Sequence, residues 1–366
     1  MKLALFNLMT QLDASVSLRS IVADAAAMTA LADELGFDTA WFAEHHFSNY
    51  SVCPSPLMMA SYCAGRTKRI RLGPAVLVLP LYNPLRMIEE IGLLDVQSDG
   101  RAVIGLGSGY QKYEFDRFGQ AIGDKASVFM EIWDLLDQAL DRGEIEHSGR
   151  FFNIPQTPIA MRLLGNRRPD IFVTGLETSV VQRTLKSGHT PFITAGWKGF
   201  PLALDMRNHI VAQAAALGRP PEAVPLAVQQ YVFVTDNASE ALDIAERARA
   251  VARIVAAMRA GDPELDGPFI KAPPLPNEPP LETFRDNLVI GDAHLCAEKL
   301  VKEIRALGTT HLSLFMQIGS VAGARALRSL ERFVRDVVPL IERELGPLAL
   351  INAGASVQPN LKGTAE

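Results

Sequence analysis

The stretch LGFDTAWFAEHHF, residues 35–47, decides how the rest of the chain is read. Gly36 is a helix stop, closing residues 18–35, whose apolar side chains recur at helical spacing. Residues 39–43 then read as a short strand rich in aromatics. Glu44, His45 and His46 follow directly at its C-terminal end. Helix, stop, strand and a polar strand end make one period of an alternating β–α chain.

Working outward, the period recurs. Strands are expected at residues 2–8, 39–43, 70–79, 101–106, 169–173, 192–195, 226–234 and 311–315. Helices are expected at 18–35, 56–66, 84–96, 125–140, 179–186, 202–217, 239–258 and 324–345. Pro84 falls in the first turn of its helix, where a missing N–H does no harm. Such alternation requires parallel strands with crossover helices. Eight units point to a closed α/β barrel, the (β/α)8 TIM barrel with insertions, as a single domain over residues 1–350. An open doubly wound sheet ranks lower, because no strand runs into a G-x-G-x-x-G turn.

Two segments interrupt the pattern. Residues 144–154 read as a hairpin turned at Ser148-Gly149. Residues 261–280 carry Pro273, Pro274, Pro276, Pro279 and Pro280 and fall between the seventh and eighth strands. A loop this long is expected to be a Pro-rich lid on the mouth side. Residues 351–366 are expected to be a flexible tail.

The chain has 366 residues, 48% of them hydrophobic, ample for a large core. A net charge of -5 gives no electrostatic reason to expect nucleic acid or an anionic membrane as partner. No stretch reads as a signal peptide or a bilayer span. Cys53, Cys63 and Cys296 are odd in number and scattered, so a reducing, cytoplasmic location is expected, with no disulfide framework and no metal site.

In a barrel of this kind, catalytic groups come from the C-terminal ends of strands. Glu44, His45 and His46 lie at such an end and suit proton transfer near neutral pH. The alternative is that they only hydrogen-bond the barrel rim. A shared metal fits poorly, since adjacent histidines on an extended chain face opposite ways. The fourth strand runs into Gly107, Ser108, Gly109 and Tyr110, where a bare backbone can approach a flat or phosphorylated ligand. The fifth runs through Gly175 into a helix opened by Thr178 and Ser179. That reads either as a phosphate cradle or as a plain N-cap.

Residues 35–47, Leu79-Pro80 with Asn83-Pro84-Leu85-Arg86, Leu93-Leu94-Asp95, and residues 107–115 occur in this order. Together they resemble the bacterial-luciferase-like family of flavin-dependent monooxygenases. The match is dense over the first third and thinner at Phe151-Phe152, Val173-Thr174-Gly175 and residues 288–292. The resemblance implies a (β/α)8 barrel and reduced FMN (FMNH2), supplied by a separate flavin reductase. Such enzymes use O2 to oxygenate an organic substrate through a C4a-peroxyflavin.

By position, His45 is the implied active-site histidine, oriented by Glu44 and His46. Phe6 and a cis Ala75–Val76 bond would lie at the flavin ring. Gly107, Ser108 and Tyr110 would lie beside it, with Lys125, Gly175, Thr178 and Ser179 near the phosphate. A homodimer through the helices near 56–66 and 84–96 is implied. Met9, Trp197 and the lid at the mouth suggest a small apolar substrate.

There are departures. Many relatives carry Arg where this chain has Ser108, so Lys125 or Arg183 compensates, or the phosphate site is weaker, or the cofactor differs. Light-emitting members carry Cys where this chain has Gly107, so oxygenation or dehydrogenation without luminescence is expected. Residues 174–177 read somewhat like the diketocamphane type of Baeyer–Villiger enzyme. Two alternatives remain: a deazaflavin- or NAD(P)H-dependent oxidoreductase on the same barrel, and a non-catalytic flavin-binding partner subunit. The intact histidine motif argues against the second.

Overall fold

A computed structural model describes residues 1–355. Each barrel strand is short and almost wholly buried: β1 (Lys2–Asn7), β2 (Thr39–Phe42), β3 (Arg71–Pro74), β4 (Leu77–Val78), β5 (Ile104–Gly107), and so onward. An antiparallel hairpin, β6 (Glu144–Ser148) with β7 (Asn153–Pro158), lies outside the barrel. Its connection runs through Gly149 to Phe152, closed by the Gly149 N–H donating to Phe152 O at 2.9 Å, so it is wider than a turn at Ser148-Gly149. The barrel resumes with β8 (Ile171–Val173), β9 (Thr190–Thr194) and β10 (Ala227–Val234). After an excursion it ends with β14 (His311–Phe315).

The hydrogen-bonded path is β3-β2-β1-β14-β10-β9-β8-β5-β4, parallel throughout. β3 and β4 are halves of one interrupted strand, not the continuous strand expected over 70–79. The path therefore closes on itself as a (β/α)8 barrel, sealed by a bridge between Leu72 and Ala102. The interruption falls at Ala75–Val76, which is cis. Gly73 allows the closure: a Cβ there would lie 1.8 Å from Val103 O. Inside, Trp41 packs edge-on against Phe172 at 5.0 Å between ring centres.

The helices begin and end on local signals. Ser17 caps α1 (Leu18–Glu34), Ser55 caps α2 (Pro56–Ala64) and Asn83 caps α3 (Pro84–Gln97); the last two have Pro in the first turn. A short helix, α4 (Lys112–Arg117), follows β5 and precedes α5 (Lys125–Arg142). Next come α6 (Thr178–Lys186) and α7 (Gly199–Ala216).

One expectation is corrected. The helix expected over 239–258 forms, as α8 (Ala238–Arg259), but it is not the seventh crossover. It opens an insertion that continues through β11 (Leu265–Asp266), β12 (Phe269–Ile270) and α9 (Leu281–Asn287). The insertion ends at β13 (Val289–Gly291), which pairs in parallel with the far end of β10, Val232 to Val234. The crossover to the eighth strand is α10 (Ala293–Leu307), capped by Asp292 and stopped by Gly308 in the left-handed region. α8 instead carries the chain back across the mouth, with the Arg259 guanidinium 5.1 Å from the centre of the Tyr110 ring.

The Pro-rich segment is thus partly structured. Its β11–β12 hairpin is pinned by Asn49, whose N–H donates to Pro268 O at 2.8 Å and whose Oδ1 accepts from the Ile270 N–H at 3.0 Å. Asn49 lies in the loop after β2, so the insertion rests on the mouth-side loops.

The closing helix, expected as one piece over 324–345, is α11 (Gly323–Arg332) and α12 (Val338–Leu345) joined by a wider π turn at Phe333–Val337. Pro339, in the first turn of α12, has no N–H to continue a regular ladder. Ile351 is buried, and the Met1 ammonium donates to its carbonyl at 2.5 Å. Asn352 Nδ2 donates to Thr309 O at 2.9 Å. Of the tail expected over 351–366, residues 356–366 lie outside the described residues. Among the described residues, no helix is long and apolar enough to cross a membrane.

Candidate active site

The loops leaving β2, β4 and β5 meet at the C-terminal mouth. Glu44, second after β2, is buried, and its carboxylate is fully engaged. Oε1 accepts from His46 Nε2 at 3.0 Å; Oε2 accepts from the Val78 N–H at 3.1 Å and the Tyr82 hydroxyl at 2.8 Å. Burial and the Glu44 charge raise the Tyr82 phenol, which stays a donor. Glu44 therefore ties the loop after β2 to the turn after β4.

His45 has a different partner. Its Nδ1 pairs with Glu114 Oε1 at 3.0 Å, and the same oxygen accepts from the His46 N–H at 2.8 Å. The Glu114 side chain is 1% exposed and that of His45 11%. With the carboxylate accepting at Nδ1, the ring keeps Nε2 for a reacting proton. Nε2 has no hydrogen-bond partner among the described residues. The His45 ring lies 4.5 Å from Tyr50 and 6.0 Å from Tyr110, both edge-on.

Sequence reasoning placed Glu44 and His46 as the groups orienting His45. No hydrogen bond joins either side chain to the His45 ring among the described residues; Glu114 does so from α4. Glu114 lies in the recognised stretch 107–115, but as a charged residue on a short helix it gave no sign of being buried. The two histidines go to different carboxylates, as divergent neighbours on an extended chain should.

The glycine loop leaves the C-terminal end of β5. Gly107 packs so that a Cβ would meet Val76 Cγ2 at 2.4 Å and Thr174 Oγ1 at 2.9 Å. This position has no room for the cysteine of light-emitting relatives. Lys125 Nζ donates to Gly109 O at 3.1 Å, which holds its charge at this loop. Arg183 is committed elsewhere: it pairs with Asp134 at 2.7 Å and Asp137 at 3.0 Å and lies over the Trp133 ring. Phe6 is buried on β1, 5.9 Å from Phe315. Trp197 packs on Phe284 of the insertion at 4.5 Å, and Met9 is buried with positive φ.

Gly175, Thr178 and Ser179 are exposed at the N-terminus of α6, and Gly175 has φ of 136°. The N-cap is Glu177, and its side chain makes no cap hydrogen bond. Neither Thr178 nor Ser179 acts as the N-cap, so the first N–H groups of α6 keep their donors free of a side-chain cap.

The sequence model of the luciferase-like monooxygenases matches residues 1–311. The chain belongs to this family. It is 34% identical over 347 residues to protein y4vJ of Sinorhizobium fredii, covering 94% of this chain and 99% of that one. It is 24% identical over 355 residues to the oxygenase component of the flavin-dependent trigonelline monooxygenase of Acinetobacter baylyi, covering 93% and 95%.

Two solved structures share the fold. The oxygenating constituent of 3,6-diketocamphane monooxygenase from Pseudomonas putida superposes with a TM-score of 0.74 at 20% identity, over 93% of this chain and 98% of that one. The coenzyme F420-dependent tetrahydromethanopterin reductase of Methanopyrus kandleri does so at 0.67 and 18%, over 92% and 98%.

As a luciferase-like monooxygenase the protein is an enzyme of flavin type, and its mouth fits such a group. Gly107 puts no side chain at this strand end, the space a Cβ would take being filled by Val76 and Thr174. The uncapped α6 N-terminus and Lys125 offer donors and a cation for a phosphate.

Proposed function

We propose that this chain is the oxygenase component of a two-component system. In this reading it takes reduced FMN from a separate reductase and uses O2 to oxygenate a small organic substrate. The observation that carries the reading is His45, oriented by buried Glu114 and presenting an unpartnered Nε2 beside Tyr50 and Tyr110. The trigonelline relative, itself an oxygenase component, supports the need for a reductase.

Gly107, Ser108 and Tyr110 would line the flavin, with Phe6 and the Ala75–Val76 peptide near its ring. Lys125, Gly175, Thr178 and Ser179 would hold its phosphate. Bound there, the reduced flavin supplies the electrons that activate O2. The protein's share is to bind and orient reactants, to exclude water under the 261–280 insertion, and to hold or move a proton at His45 Nε2. Glu44 and His46 act by fixing the loop that carries His45.

A deazaflavin-dependent reading draws on Ser108 and on fold neighbours that use F420. One titration separates the two. FMN, FMNH2 and a reduced deazaflavin are added to the pure protein, followed by O2 uptake with a flavin reductase present. Tight binding of FMNH2 is expected; binding of deazaflavin alone would overturn the FMN reading. His45→Ala is expected to slow turnover about 10²–10⁴-fold, the usual share of a positioned acid or base, with FMNH2 affinity nearly unchanged. Unchanged turnover would remove His45 from the chemistry.

A homodimer is part of the proposal. Met58 and Tyr62 on α2 and Leu93 and Val96 on α3 are 73%, 42%, 41% and 41% exposed, an apolar face on two adjacent helices. A cytoplasmic location is proposed from the cysteine usage.

A further inference from the structure

Aromatic rings are packed beneath the mouth and again at its rim. Phe6 packs on Phe315 and Phe315 on Tyr231, at 5.9 and 4.8 Å between ring centres. Tyr50 and Tyr110 flank His45 above them. At the rim, Arg259 ends α8 with its guanidinium over the Tyr110 ring. Arg259 makes no ion pair or hydrogen bond among the described residues. Its helix neighbours differ: Arg249 and Arg253 are both tied to Glu278, and Arg249 also to Glu246. The two buried carboxylates beside His45 are taken, Glu44 by three donors and Glu114 by His45 and the His46 N–H.

A second observation lies next to Tyr110. Gln111 is fully buried, yet neither atom of its amide has a hydrogen-bond partner. The amide adjoins the Tyr110 phenol, where its influence only partly offsets the rise that burial imposes. Burial raises both the Tyr50 and Tyr110 phenols, and the Arg259 charge opposes the rise in each. Tyr110 is 37% exposed overall, so the burial is that of its hydroxyl end. The phenols remain neutral donors within reach of the same cation.

A cation in the last turn also favours the helix dipole. That accounts for a basic residue, not for a guanidinium without an acidic partner laid over a ring that borders the reacting histidine. Aromatic rings beside His45, neutral phenols, an unsatisfied amide and an unpaired guanidinium suit a molecule with an apolar body and an anionic end.

We propose that the substrate carries a carboxylate anchored by Arg259 over Tyr110, with its apolar body against the aromatic rings beside His45. This refines the substrate class of the function proposed above and rests on that reading. The competing source of an anion is the cofactor's phosphate, which would then lie at Arg259 rather than at Lys125 and α6.

The test titrates benzoate and octanoate, with benzamide and octanamide as uncharged counterparts, into the full-length protein with and without FMN or, under anaerobic conditions, FMNH2. Wild-type and Arg259→Gln proteins are compared, and their melting temperatures are recorded. The wild type is expected to bind at least one carboxylate about tenfold or more tighter than its amide. In Arg259→Gln that preference should vanish, with FMN affinity and melting temperature unchanged. No carboxylate preference in the wild type, or its retention in the variant, would overturn the proposal. So would weakened FMN binding in Arg259→Gln, which would assign the anion to the cofactor. Failure of FMN and FMNH2 alike to bind the wild type would instead sink the flavin reading, while the carboxylate comparison would still be read.

Discussion

Glu114 illustrates how one buried carboxylate sets the task of its neighbour. Its Oε1 receives both the His45 ring and the His46 N–H, so removing the charge loosens the ring and the loop together. Hydrogen bonds to a charged group contribute about 1.5–3 kcal/mol. Glu114→Gln is therefore expected to lower kcat by roughly 10–100-fold with a small change in KM; steady-state kinetics check this, and an equal loss in Glu44→Gln would show no special role for Glu114. Glu303 on α10 is a second buried carboxyl, held by the Gln230 amide, and burial raises it to about 7 from its ordinary 4.5. The folded chain then keeps a proton that the unfolded chain releases between these values. Its contribution to stability is full below about pH 4.5, declines as pH rises toward 7 and is absent above. At about 1.4 kcal/mol per unit, the wild type should lose roughly 3 kcal/mol across that window from this site. Glu303→Gln should flatten the loss, as read by urea denaturation at several pH values.

At the scale of elements, the insertion after α8 is the piece that makes this barrel mouth its own. Its grip on the mouth is narrow: Asn49 Oδ1 accepts from Ile270, while Asn49 Nδ2 donates to Gln11 O at 2.9 Å and secures the loop after β1. Asn49→Ala removes both side-chain bonds and leaves a buried N–H and carbonyl unmet, at about 1–3 kcal/mol each. Faster proteolysis within residues 261–280 is the expected result, with the barrel intact by circular dichroism. An unchanged cleavage rate would mean that the hairpin is held by packing alone. The insertion also covers Trp197 by way of Phe284, which takes that ring out of the role of a bare mouth residue.

At the scale of the whole molecule, the apolar face on α2 and α3 points away from the barrel. Leu93 in its centre is 41% exposed. A charge there should prevent two copies from burying this face. Light scattering is expected to give the wild type twice the 39.9 kDa of one chain and Leu93→Asp a single chain's mass. A wild-type monomer would remove the dimer from the proposal.

Much of the architecture was legible in residues 35–47 and their repeats, because a strand with its crossover helix is a local pattern: Gly36, Ser55, Asn83 and Pro84 mark ends without help from the rest of the fold. His45 was legible for the same reason, as an imidazole at a strand end. α10 was missed although Asp292 and Gly308 flank it, since a longer and equally periodic helix, α8, stood in the position where a crossover was due. Which helix crosses over depends on β13 pairing with β10, across more than fifty residues of chain. The partner of His45 and the free cation at Arg259 were also settled only in three dimensions. Glu114 and Arg259 reach the site from α4 and α8, and burial, pairing and the absence of a counter-ion are properties of the packed structure that spacing along a chain does not encode.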